Sequence, residues 1–176
     1  MKVMGLLLGV VAVAALAAGT AGAAKADPPA QDESWLMTSI SGDRFEIAGG
    51  KIALSRANTP QAKALGRRLI SDHTKSLHDA IELAERWGMT PPPAATPSEQ
   101  WELNRLKNMP RPQFDVQYAV LEVKDHHQDI EETGFEAREG QAWDVRQEAL
   151  KDLPTLNMHL RLAEALVKTA EAARHS

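Results

Sequence analysis

"NTPQAKALGRRLISDHTKSLHDAIELAERWG", residues 58–88, carries the signals of a complete amphipathic helix. Thr59 can accept a hydrogen bond from the open N–H groups of the first turn, and Pro60 suits the first helical position because its missing N–H would have had no partner there. Gly88 follows the last apolar residue, where a helix turns off into a left-handed conformation. Between them Leu65, Leu69, His73, Leu77, Ala80 and Ala84 recur at spacings of three and four, so they share one face. His73 falls within that stripe and His78 beside it. A buried imidazole needs a partner, and His73 is therefore either a ligand or part of a core hydrogen-bond network.

The same reading extends along the chain. A first helix is expected over Ser34–Ala57, with Leu36, Ile40, Ile47 and Leu54 on one side; the weak helix formers "AGG" at 48–50 would let a neighbouring helix approach closely. The second helix runs from Pro60 to Trp87. Prolines make 89–97 an extended connector, and a short helix follows over Ser98–Asn108 with Ser98 as its cap. The third long helix is expected over Phe114–Gly140, with Val116, Val120, Val123, Ile130 and Ala137 facing inward. The fourth runs from Trp143 towards the C-terminus with a kink at Pro154, carrying Leu156, His159, Ala163, Leu166 and Ala170. No segment alternates with period two, so the chain reads as all-α, and four long one-faced helices pack most simply as a four-helix bundle. Leu69, Leu77, Val123, Ile130, Leu156 and Leu166 are its expected core.

Residues 1–26 read as a secretory signal peptide: a basic start at Lys2, an apolar run, and small-x-small cleavage patterns that place the cut after Ala23 or Ala26. Residues 27–176 then form one domain, periplasmic or otherwise exported, with no membrane span left once the signal is removed. With no cysteine there is neither a lipid anchor nor a disulfide. Removing Lys2 and Lys25 leaves 18 basic against 24 acidic side chains, a formal charge of −6, which argues against nucleic acid and anionic lipid as partners. The sequence names no protein partner and leaves self-association open.

The chemistry concentrates where polar residues interrupt apolar faces. His73, His159 and either His126 or His127 each point an imidazole inward from a different helix. At 1.5 Å per residue, His73 and His126 both lie roughly 20 Å from their helix ends; Glu46 matches that height and His159 lies about one turn further on. Glu46, His73, His126 and His159 thus become a candidate metal set, with His127 and Glu122 as alternates. Three imidazoles and a carboxylate suit zinc, copper or iron. Asp72, beside His73, is a candidate for orienting a ring rather than binding metal. The surface pairs His78/Glu82 and Glu122/His126 fit ordinary i, i+4 partners, and His175 is assigned no role. No glutamate has a histidine three residues later, so the paired Glu-x-x-His of carboxylate-bridged di-iron sites is absent. No catalytic set stands out, and an enzyme is the less favoured reading.

The blocks "FEIAGGKIAL", "LISDHTKSL", "FDVQYAVLEVKDHHQDI" and "LPTLNMHLRLAEAL" resemble, in order and spacing, those of the bacterial domain-of-unknown-function family 4142. The resemblance covers about residues 34–170. It implies a ferritin-like four-helix bundle in an exported protein, and it implies Glu46, Asp72–His73, His126 and His159 as the family's matching positions, choosing His126 over His127. Family members often carry an outer-membrane label, but a helical chain of this size cannot form a β-barrel. Two function classes remain. One is a metal-binding bundle for buffering or envelope stress protection. The other is a non-catalytic envelope interaction module in which the same Glu/His cluster is a buried hydrogen-bond network.

Overall fold

The structure, a computed structural model, describes residues 27–172. Among these residues there are five helices and no strand: α1 Ala30–Arg56, α2 Pro60–Arg86, α3 Pro97–Asn108, α4 Arg111–Glu139 and α5 Trp143–Ala172. The all-α reading is met. No helix among the described residues is long and apolar enough to cross a membrane. The expected signal peptide and His175 lie outside the described residues.

α1 packs along α2 and α4 along α5; the two hairpins meet where α2 faces α5 and α1 faces α4, and α3 lies across α1 and α4. Buried acids tie the hairpins together. Asp115 of α4 accepts from the backbone N–H groups of Asn58 and Thr59 at 2.9 and 2.8 Å and from the Thr59 hydroxyl at 2.6 Å, fixing the α1–α2 turn. Asp32 of α1 accepts from the N–H groups of Gln141 and Ala142 at 3.0 and 2.7 Å, fixing the α4–α5 turn. Each hairpin thus supplies the carboxylate that satisfies the open donors of the other's turn.

The local signals act as expected at α2. Thr59 caps it by accepting from the Ala62 N–H, and Gly88 closes it with φ 77°, bringing the Met89 N–H onto the Ala84 carbonyl. The "AGG" stretch is the crossing point of α1 and α2: a Cβ on Gly50 would lie 2.6 Å from the Gly66 carbonyl oxygen, and one on Gly66 would lie 2.9 Å from the Gly50 oxygen. Thr96, not Ser98, caps α3 through a reciprocal box with Glu99, because Pro97 takes the first helical position. α5 continues through Pro154. The lost hydrogen bond falls on the carbonyl of Leu150, a half-exposed residue that water reaches. The connector expected over 89–97 is free of helix over 89–96 and ends at Pro97, where α3 begins, but Ala95 is buried in the core and the Arg44 guanidinium donates to the Pro92 carbonyl at 2.9 Å. It is therefore strapped to α1 rather than fully exposed.

The apolar core is two clusters. One gathers Phe45, Leu65, Leu69, Leu106, Phe114, Tyr118 and Leu166. The other gathers Trp35, Leu36, Ile40, Leu83 and Val145. Between them runs a layer of buried polar side chains that includes Asp43, Glu46, His73, Glu122, His126 and His159. Of the six expected core residues, Leu69, Leu156 and Leu166 are buried, while Leu77, Val123 and Ile130 are only partly so. On α1 and α4 only part of the expected stripe is buried: Leu36, Ile40, Val116 and Ala137 are, and the rest drifts off the inward face. Ile47 is half-buried and Leu54 and Val120 are exposed, while Asp43, Glu46, Glu122 and His126 point inward. A stripe drawn through aliphatic residues alone skips the polar layer and so drifts in phase across it.

Candidate metal centre

His73 from α2, His126 from α4 and His159 from α5 meet in the polar layer, with ring centroids 5.1, 5.2 and 5.8 Å apart. One nitrogen of each lies within 4.8 Å of one from each of the others. Each ring reaches this point because it replaces an apolar residue on its helix's buried face, at matching heights from the turns.

Each ring has one nitrogen held and one without a hydrogen-bond partner. His73 Nδ1 lies 2.8 Å from Asp43 Oδ1, His126 Nδ1 lies 2.9 Å from the Glu122 carbonyl oxygen, and His159 Nε2 lies 2.8 Å from Asp72 Oδ2. These partners are acceptors, so the held nitrogen of each neutral ring carries the proton and donates it. The lone pairs then sit on His73 Nε2, His126 Nε2 and His159 Nδ1, all buried and all without a hydrogen-bond partner. An acceptor on one ring nitrogen that leaves the other free is the arrangement by which carboxylates and carbonyls orient histidine ligands.

The electrostatics keep the lone pairs available. Burial, reinforced by repulsion from a charged His73 or His159, pushes the His126 pKa down to about 3. Burial and His73 push His159 down to about 4 against the pull of Asp72. Burial raises Asp43 even against its bond to His73. Burial also pushes Asp72 up, but bonds from His159 and Arg68 outweigh it and hold this carboxyl below the usual range.

The centre borders a cavity of about 40 Å³ whose lining includes Asp43, Asp72, His73, Asp129, Asp152 and His159. That is room for an ion or a few waters. The lining contains no lysine or arginine. Burial, and then neighbouring acids, push Asp152 up to about 7 and Asp129 well above its usual value. A cation would relieve this crowding of acids.

Glu46 stands apart from the three unpartnered nitrogens. It forms a second group with Glu122 and His126, its Oε1 lying 4.0 Å from His126 Nδ1, the nitrogen already bonded to the backbone. Glu122, expected as an alternate and, with His126, as a surface pair, is instead buried together with His126, 3.8 Å from the same nitrogen, because both sit on the true inward face of α4. His126 is the inward member of its pair; His127 is exposed. Asp72 orients His159, on another helix, rather than its neighbour His73. His78 is a surface residue, its side chain 69% exposed and 3.6 Å from Glu82. Asp43 is the residue that sequence reasoning passed over. Its signal was an acid three residues after Ile40 and three before Glu46, in phase with the true buried face of α1.

Helical hairpins enclosing a buried cluster of three histidines and several acids define the class. The chain belongs to the family described as Domain of unknown function (DUF4142), which matches residues 17–166. Among curated proteins, none matches the chain. Among solved structures, a crystal structure of a DUF305 fragment from Deinococcus radiodurans is similar with a TM-score of 0.72 at 14% identity, over 82% of this chain and 99% of that one. At that identity the likeness is one of fold.

Proposed function

We propose that this chain is an exported, periplasmic four-helix bundle of ferritin-like type that binds one transition-metal ion through His73 Nε2, His126 Nε2 and His159 Nδ1, for metal buffering or envelope stress protection. The observation that carries this reading is the set of three oriented imidazoles whose lone pairs are buried and without hydrogen-bond partners. Tetrahedral ligands 2.0–2.1 Å from zinc lie about 3.4 Å apart, so side-chain adjustments of about an ångström draw nitrogens now within 4.8 Å onto an ion. Three imidazoles suit zinc, copper(II) or iron(II). Asp43 and Asp72 would orient two of the rings and balance the ion's charge, and the fourth coordination position would open towards the acidic cavity.

The export part of the reading rests on the sequence of residues 1–26, and the bundle part on the two packed hairpins and the fold likeness. A hydrogen-bond network that only fixed helix register would satisfy both nitrogens of each ring, whereas one nitrogen of each is left without a partner, so the interaction-module reading has less support. Metal analysis of untagged protein purified from the periplasm tests the proposal. About one equivalent of zinc, copper or iron is expected in the native chain and in His78→Ala, with loss in His73→Ala. A metal-free native protein, or unchanged metal in His73→Ala, overturns it.

A further inference from the structure

On the far side of His126 from the three-histidine centre, Glu46 of α1 and Glu122 of α4 face each other at 0% and 1% exposure. Among the described residues no lysine or arginine pairs with either; the only basic group within 4.0 Å is His126 Nδ1, whose proton goes to the Glu122 carbonyl. Both Glu46 oxygens and Glu122 Oε2 are without a hydrogen-bond partner. So is the Tyr118 hydroxyl, one helical turn before Glu122 and fully buried. Two facing carboxylates and a phenol with no counter-charge are too costly to leave so deep unless a proton or a cation joins them.

We propose that Glu46 and Glu122 form a second cation site, built from oxygen donors and reached through the groove at Asp125. Asp125, three residues after Glu122 and half-buried, comes within reach of the Glu46 carboxyl and lines a surface groove in which Glu99 and Glu102 outnumber the one cation, Lys124. Gly49 leaves the inner side uncrowded: a Cβ there would touch Glu122 Oε1 at 3.7 Å. Carboxylate and phenol oxygens suit hard divalent ions such as manganese or magnesium rather than the borderline ions that imidazoles prefer. The two sites lie back to back on the His126 ring, and this one stands whether or not the three histidines bind metal.

Manganese(II), followed by the loss of its free-ion electron paramagnetic resonance signal, is the probe. The full chain should take up one Mn²⁺. Affinity should fall more than about tenfold in Glu46→Gln and in Glu122→Gln, and should stay within about threefold of native in His73→Ala. Asp125→Asn, at a half-buried position on the groove, should also weaken uptake and keeps the comparison open should a core variant fail to fold. Absence of Mn²⁺ uptake, equal affinity in the Gln and Asn variants, or equal loss in His73→Ala would each overturn the proposal. The last result would mean a single centre at the histidines.

Discussion

His73 and Asp43 meet at 2.8 Å across the α1–α2 hairpin, both almost wholly buried. The bond fixes the proton on Nδ1 and leaves the lone pair on Nε2, within the cluster of His73, His126 and His159. If the ring is a ligand, the acid behind it is part of the site. Asp43→Asn is therefore expected to weaken zinc binding about 10- to 100-fold while the protein stays folded. Equal affinity in the variant, measured by competition with a chromogenic chelator, would show that the acid only stabilises the fold.

The glycine contact between α1 and α2 gives a stability prediction with no link to metal. A methyl group on Gly50 would meet the Gly66 backbone and Ile70 at 2.6 and 2.8 Å, so the helices must part to admit it. Gly50→Ala should cost about 1–3 kcal/mol in urea unfolding despite alanine's better helix propensity. A gain in stability would mean that the crossing is looser than described.

Core substitutions should separate by burial. Leu69 is fully buried in the cluster around Phe114 and Tyr118, and Leu69→Ala should cost about 2–5 kcal/mol. Leu77 only borders the other cluster, so Leu77→Ala should cost about half as much or less. The reverse order in chemical denaturation would place the α2 face wrongly.

These contrasts show which parts of the molecule the sequence made legible. α2 was readable almost residue by residue because one helix held cap, stripe and stop, and the α5 stripe from Leu156 to Ala170 is buried as expected. His73 and His159 were legible for the same reason, each replacing an apolar residue in a regular stripe, whereas on α4 periodicity left His126 and His127 open and only the family resemblance chose His126. On α1 and α4 the buried face itself carries acids, so aliphatic periodicity led to Ile47, Leu54 and Val120 and away from Asp43. Glu46 was placed at the right height but on the wrong side of His126, since height along an axis says nothing about rotation around it. The partition of the core was not visible either, because it depends on contacts between helices that no single stripe encodes.

The buried acids predict a pH dependence in the metal-free protein. Burial, with the Asp125 charge adding to it, pushes Glu122 up to about 8; burial and then the Glu148 and Asp43 charges push Asp152 up to about 7. Between about pH 7 and 8 these groups still bind protons in the folded chain but not in the unfolded one, so stability falls as pH rises. His126 and His159, held down to about 3 and about 4, are neutral in the folded chain there and nearly so in the unfolded one, and contribute little. The melting temperature should drop across that window, with a flatter profile in the Glu122→Gln/Asp152→Asn double variant. A native melting temperature that climbs from pH 7 to 8 contradicts this assignment of protons.

The central claim, that the three inward imidazoles form a metal site, is tested most directly by calorimetric titration of zinc into the native chain and its histidine variants. One site is expected, with an affinity that falls at least about 100-fold in His73→Ala and in His159→Ala and stays within about threefold of native in His78→Ala. Equal affinity across all three variants, or native binding no tighter than that of the exposed His78/Glu82 pair, would contradict it and leave the histidines as a buried polar layer.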